Sequence, residues 1–506
     1  MKKLLAILLA MLMLVSCFTL FACDNGNSGN NNVDPNTPSE DTPDEPTEED
    51  MKVTLSDATL DIPANAKEIC NNTTFTIFAP LPNGVDRFIA EEPNGTPVVD
   101  AIYNRNLAVM DELGITIAGT MMNHYTNDQA QGIIDDKISG THSFDVAAIH
   151  TTSACAALIM ADAALSFDYL TYCDLSKPWW NQGLQEAASI FGQNFFATGS
   201  ICKDIYTYPS CLLFNKDLAE ENDLPDLYEL VRNGEWTIDK LIEVTKNFSQ
   251  DLDGDGLVSL PGDLVAITSD DYAFMNFWYG AFRQSTVEKG ENEQPTIVAD
   301  SARMTTVIEK LNTLFNTGRR GHIYPMKERY KGDPYITAFA EGRVLFYVGS
   351  LNSATWIREY DINFGIIPLP KLDSNQEKYG AWMDPWHLTL TVPADHREPE
   401  KCSIILETLA YHSYHKVYPA VVEQTIFGTG TRDTESLEMI QEYIYPNTFF
   451  DFGYLFDSNG IGYSFLIKEL VPYNSTDIAS FIAGRRATVE THFADLYDKM
   501  LEISAS

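Results

Sequence analysis

The sequence predicts an α/β fold with room for two domains, and three observations carry that expectation. Strand-like runs alternate along the chain with segments of helical periodicity, the pattern of sheets layered with helices. The chain is 44% hydrophobic and 11% aromatic, enough to build ordinary cores. Its 506 residues exceed what a single core usually serves. No internal repeat interrupts the alternation.

The elements follow in order. Thr74-Phe75-Thr76-Ile77-Phe78 is a β-rich run. Between 100 and 113, apolar residues at 102, 109, 110 and 113 share one helical face, and Gly114 stops it. Ile115-Thr116-Ile117 and residues 144–149 read as the next strands. Met304, Val307, Ile308, Leu311, Leu314 and Phe315 keep helical spacing up to Gly318. Residues 344–348 form a strand of buried type, and 364–367 another, stopped by Pro368-Leu369-Pro370. A strand over 388–392 precedes Pro393, and 403–409 returns to helix.

The front of the chain has a different grammar. Met1-Lys2-Lys3 is basic, residues 4–14 are unbroken apolar, and Leu20-Phe21-Ala22-Cys23 has the shape of a lipobox. This looks like a bacterial lipoprotein signal over residues 1–22, with Cys23 as the lipid acceptor. Leu14-Val15-Ser16-Cys17 competes, but Phe18 to Phe21 would then follow the anchor as exposed apolar residues. Residues 24–50 carry nine acids, no base and one aliphatic side chain, Val33. Such a stretch cannot bury enough surface to offset chain entropy, so residues 23–54 are expected to be a disordered acidic tether. No later run is long and apolar enough to span a membrane.

Charge excludes some partners. Against 34 basic residues stand 72 acidic ones, a formal charge of −38. Phosphate backbones and anionic lipid surfaces need a basic face, so neither nucleic acid nor polybasic membrane adsorption is expected. The eight cysteines form no CxxC and no zinc spacing, and buried thiols are the expectation.

Enzyme signatures are missing: no GxSxG, no GxxxxGK[ST], no HExxH and no strand followed by GxGxxG. His412 and His415 lie three apart without a third ligand. One loop is more specific. Asp251-Leu252-Asp253-Gly254-Asp255-Gly256-Leu257 matches the front of an EF-hand-type loop, with oxygens at positions 1, 3 and 5, a turning glycine at 6 and the Leu257 carbonyl at 7. Position 12 is Gly262 instead of Glu, and Asp263 comes one residue late. A structural calcium held by Asp251, Asp253, Asp255, Leu257 and Asp263 competes with a solvated acidic turn. Tyr206, Tyr208, Trp278, Tyr279, Tyr347, Trp356, Trp382 and Trp386 fall at expected strand ends or in loop-like segments. Rings beside polar groups suit sugar faces, while each ring alone also fits a core.

Several runs together resemble the bacterial extracellular solute-binding proteins of family 1, the maltose-binding type. Tyr206-Thr207-Tyr208-Pro209 and Leu212-Leu213-Phe214-Asn215-Lys216-Asp217-Leu218 look like the family's entry into its second lobe. Gly234-Glu235-Trp236-Thr237-Ile238-Asp239-Lys240-Leu241 is similar to the helix start that follows there. Ala338-Phe339-Ala340-Glu341-Gly342-Arg343-Val344 and Phe364-Gly365-Ile366-Ile367-Pro368-Leu369-Pro370-Lys371 resemble two later turns, with Arg343 and Phe364 replacing the usual Lys and Tyr. Residues 431–440 look like a clostridial branch of these lipoproteins. The resemblance covers roughly residues 70–500.

The resemblance implies a two-lobe, type II periplasmic-binding-protein-like α/β fold with a ligand cleft between lobes. Lobe 1 would take 55–205 and 371–425, and lobe 2 would take 206–370 and 426–506. It implies a non-enzymatic, monomeric binding protein, lipid-anchored on the outer face of the cytoplasmic membrane, that hands a sugar or oligosaccharide to an ABC transporter permease. Tyr206, Tyr208, Ser350, Asn352, Trp382, Asp384 and Trp386, near the expected crossings, are the ligand-binding candidates. A surface-anchored glycoside hydrolase or other carbohydrate-active enzyme remains an alternative, as does a sensory binding protein for a membrane kinase.

Overall fold

The computed structural model describes residues 53–80, 84–122, 128–318, 321–329, 333–357, 359–426, 434–457 and 462–505. Ten strands among these build two five-stranded sheets. In chain order they are β1 (Thr74–Pro80), β2 (Thr116–Met122), β3 (Val146–Ile149), β4 (Ala164–Leu165), β5 (Ser210–Asn215), β6 (Val265–Asp270), β7 (Gly321–Tyr324), β8 (Val344–Ser350), β9 (Phe364–Ile367) and β10 (Thr389–Pro393). The first sheet has the order β2-β1-β3-β10-β4, and the second β9-β5-β8-β6-β7.

In the first sheet β1 runs parallel to β2, with Phe75 opposite Ile117, and parallel to β3, with Ile77 opposite Val146. β10 returns more than 200 residues later and inserts antiparallel between β3 and β4. In the second sheet β8 is central and buried along its whole length, parallel to β6 and antiparallel to β5. That burial on both faces explains why 344–348 reads as a continuous apolar run instead of an alternating one.

Local chemistry sets the helix ends. Helix Pro97–Leu113 starts with proline in its first turn and stops at Gly114, which takes φ 66° while its N–H bonds Met110 O. It starts three residues before the expected 100, with Pro97 in its first turn and Val98 half-buried against the core. Helix Ala302–Asn316 is capped by Ser301, whose side chain accepts from Met304 N at 3.2 Å, and it buries all six residues of the predicted stripe. Helix Pro399–His412 outruns the expected 403–409 and continues as a π-helical turn over Ser413–Val417. The strand expected from 388 begins at Thr389, since Leu388 has φ 66° and cannot join the ladder.

Six described cysteines are free thiols, all buried except the half-buried Cys173. Cys17 and Cys23 lie outside the described residues, as do the signal and nearly all of the tether. Among the described residues, no helix is long and apolar enough to cross a membrane.

Candidate functional site

Three stretches of chain meet beside β5. Pro209 pairs antiparallel with Met383, and Ser210 Oγ accepts from Trp382 N at 2.8 Å. Ser210 stands opposite Ser350 across the β5–β8 ladder. Leu351 N donates to Pro209 O at 3.1 Å, Asn352 N to Thr207 O at 2.6 Å, and Asp384 N to Tyr208 O at 3.5 Å. The structure therefore gathers the segments holding Tyr208, Ser350, Asn352, Trp382 and Asp384. They join mainly through backbone, which the sequence spacing of up to 176 positions does not reveal.

Side-chain placement divides the candidates. Tyr206 is a packing residue: it stacks on Tyr418 at 4.1 Å, its hydroxyl bonds Ser200 Oγ at 2.6 Å, and its carbonyl accepts from Tyr445 at 2.8 Å. Trp382 is only 2% exposed and packs against Tyr454 at 4.9 Å, Tyr279 at 6.1 Å and Phe449 at 6.4 Å. Its backbone presses so closely on Gly280 that a Cβ there would sit 2.3 Å from Trp382 N. Trp386 is half-buried, edge-on to His150 at 4.7 Å, and its carbonyl accepts from Arg87 Nη1 at 2.6 Å. Asp384 caps the short turn that holds it, accepting from Trp386 N at 3.0 Å. Trp278, Tyr279 and Tyr347 are core residues on helix Phe277–Ala281 and strand β8, not loop aromatics. Trp356 ends helix Leu351–Trp356 and is exposed.

Beside the Trp382–Asp384 segment lies a small recess of about 10 Å³, room for about one water, walled in part by Thr151, Thr152, Trp382, Pro385, Asp451 and Tyr454. Thr151 and Thr152 open helix Thr151–Met160 directly after β3, at the carboxyl end of a parallel strand, where open α/β sheets bind ligands. His150-Thr151-Thr152, next to the predicted strand 144–149, carried that signal and was missed. Asp451 and Tyr454 had no legible pattern.

The electrostatics favour neutral groups. Burial pushes His150 down to about 3, with His387 and Arg87 adding to the effect. Burial likewise lowers His387 to about 4, although its Nδ1 bonds Asp384 O at 2.8 Å. Both imidazoles are neutral at physiological pH. Asp451 is raised to about 7 by burial, against hydrogen bonds from Thr286 and Gly453, including Thr286 Oγ1 at 2.7 Å. Asp451 is thus partly ionised near neutral pH in a partly apolar recess edged by hydroxyls, a mixture of the kind found in ligand sites.

The acidic loop lies apart, before β6. One carboxylate oxygen each from Asp251, Asp253 and Asp263 lies within 4.8 Å of the others. Asp263, the late residue, reaches into the loop and accepts from Leu252 N at 2.8 Å and Ser259 N at 2.7 Å, which holds its pKa below the usual carboxylate range. Asp251 accepts from Gly254 N at 2.7 Å and Gly256 N at 2.8 Å. Asp255 is not in this group; its Oδ1 accepts from Leu257 N at 2.7 Å, and the Leu257 side chain is exposed. Carboxylate oxygens are the donor type of a hard divalent cation, which takes about six to eight, so these three would supply part of the shell and backbone carbonyls or water the rest. His412 bonds Glu112 at 2.7 Å, and His415 packs on Tyr411, a structural use of both.

No protein-family model and no curated protein matches the sequence. Solved structures do match in shape. The galacto-N-biose/lacto-N-biose I-binding protein of an ABC transporter from Bifidobacterium longum, in complex with lacto-N-biose, superposes with a TM-score of 0.55 at 12% identity, over 84% of this chain and 98% of that one. A family 1 extracellular solute-binding protein from Bifidobacterium longum subsp. infantis gives 0.51 at 13% identity, over 83% and 100%. The apo form of RafE from Streptococcus pneumoniae gives 0.50 at 14%, over 85% and 98%. The chain has the two-lobe α/β fold of the family 1 solute-binding proteins of ABC transporters.

Proposed function

We propose that this protein captures a sugar or oligosaccharide between its lobes and delivers it to an ABC importer, breaking no bond. The observation that carries the reading is the fold shared with a sugar-binding protein, in which the helix start after β3, the Trp382–Pro385 turn and Asp451 meet at one small recess. The similar Bifidobacterium longum protein, solved in complex with lacto-N-biose, supports it. A ligand touching both lobes favours their closed arrangement and shifts the population toward it. A thermal-shift screen tests this, because a ligand of the native state raises apparent stability by mass action. Sugars should raise the melting temperature in proportion to the logarithm of their concentration. Stabilisation by peptides or polyamines alone would overturn the reading, and turnover of an oligosaccharide would replace it with a hydrolase.

The same reading places the protein on the outer face of the cytoplasmic membrane, held by acyl chains on Cys23. Cys23→Ala should move the protein from the membrane fraction to the medium. Retention after Cys17 is replaced as well would remove the anchor.

Asp251, Asp253 and Asp263 are further proposed to hold a structural calcium, whose loss would leave like charges within 4.8 Å. Chelator should lower the melting temperature of the wild type and not that of an Asp253→Ala, Asp263→Ala variant. Superimposable wild-type melting curves with and without chelator would count against the ion.

A further inference from the structure

Helix Pro97–Leu113 is the next α-helix after β1, and helix Thr151–Met160 follows β3. β1 and β3 are parallel neighbours, so both helices start at the same carboxyl edge of the first sheet. Open α/β sheets bind ligands at that edge. The recess at the second helix start holds about 10 Å³, too little for a sugar ring. Beside the first helix start lies a groove of about 590 Å³, within the roughly 300–1,000 Å³ of ordinary ligand sites.

Pro97, Asp100, Ala101 and Asn104 form one wall of the groove, and Lys416, Ala420 and Glu423 the other. The second wall runs from the π-helical turn Ser413–Val417 into helix Tyr418–Ile426. Arg105 Nη1 donates to Ser413 Oγ at 2.7 Å, and His412 Nε2 bonds Glu112 Oε2 at 2.7 Å, so the walls are fixed to each other. Asp100 Oδ1 accepts from Asn94 N at 2.9 Å and Gly95 N at 3.2 Å, which holds that carboxylate in place. Asn104, Lys416 and Glu423 are exposed, and none of their side chains has a hydrogen bond or ion pair with another described residue. Seven positions separate Lys416 from Glu423, roughly 10 Å along a helix axis. One amide, one ammonium and two carboxylates are thus spread along the groove.

Resting on the sugar-capture reading, we propose that this groove is a docking subsite for an uncharged sugar residue, gripped by its hydroxyl edges. Among the described residues the lining holds no aromatic ring, so recognition rests on hydrogen bonds instead of stacking. Sugar hydroxyls both donate and accept, and the lining matches them: Asp100 and Glu423 accept, Lys416 donates, and Asn104 does either. Bonds to ionised groups are stronger than bonds between neutral ones. Walls already fixed to each other lose little freedom on binding. Two carboxylates stand against one ammonium, in a chain of formal charge −38, so the groove disfavours sugars that carry an acid group. Both walls come from the stretches expected to build lobe 1, so docking there does not require the second lobe.

Titration calorimetry on the mature chain would use neutral trisaccharides (maltotriose, cellotriose, raffinose and triacetylchitotriose). It would add the counterpart of whichever binds best in which one CH₂OH is oxidised to a carboxylate. Asn104→Ala, Lys416→Met and Glu423→Gln together should weaken the best binder at least about tenfold, the worth of a bond to an ionised group. All three side chains are exposed and unpaired, so the melting temperature should hold. Ala101→Leu, which narrows the groove without touching a charge, should bring a comparable loss. The acid should bind more weakly than the parent sugar, and Glu423→Gln alone should narrow that gap. A bound trisaccharide indifferent to the triple variant would overturn the groove and leave sugar capture standing. No trisaccharide bound by the wild type would overturn both. An acid binding as tightly as the parent sugar would overturn the charge preference.

Discussion

Trp382→Ala should cost about 3–5 kcal/mol of stability, the range for removing a buried aromatic side chain from a core. The indole fills space between Tyr279, Phe449 and Tyr454, while its backbone N–H is held by Ser210 Oγ and its chain lies against Gly280. The cavity would open where three segments of chain join, so ligand affinity should fall as a consequence of disorder in that junction. In urea the midpoint should drop with little change in slope. Trp382→Phe should recover part of the loss. An unchanged midpoint combined with weaker sugar binding would instead return the ring to the ligand surface.

Glu407 should make the protein less stable as the pH rises through neutrality. It is buried in helix Pro399–His412, with Oε1 accepting from Trp179 Nε1 at 2.9 Å and Oε2 from Trp180 Nε1 at 2.8 Å. Burial raises its pKa from 4.5 to about 7, although both indole bonds pull the other way. The folded carboxyl therefore holds its proton more tightly than the unfolded chain does. Its favourable contribution is complete below about pH 4.5 and is lost as the pH climbs through about 7. The shift corresponds to roughly 3 kcal/mol between those limits. Glu407→Gln should remove this component of the pH profile. It should also cost about 1–3 kcal/mol at low pH, because an amide offers one acceptor and one indole N–H is left unmatched. Denaturation followed by tryptophan fluorescence at pH 5 and pH 8 reads both effects. Parallel profiles for the wild type and Glu407→Gln would show that another group carries the dependence.

These two residues show why composition and periodicity stop short of the site. Glu407 occupies a helix whose neighbours Ile404, Ile405 and Leu406 are all buried, yet nothing in that run announces a partner more than 220 positions earlier. Trp382 was legible as an aromatic at a crossing and illegible as a core residue, because burial depends on which chains return to cover it.

The sequence by itself determined the α/β class, most of the strands, the helical stripe from Met304 to Phe315 and the Gly114 stop, since these rest on side-chain periodicity and on backbone preferences a few residues long. Only the tertiary structure decided that β10 inserts between β3 and β4, that Asp263 reaches back to Asp251 and Asp253, that Tyr206 and Trp382 are buried, and that Thr151, Asp451 and Tyr454 face one recess. Those facts depend on contacts between residues far apart in the chain or on a chain reversal, and neither leaves a local period to read.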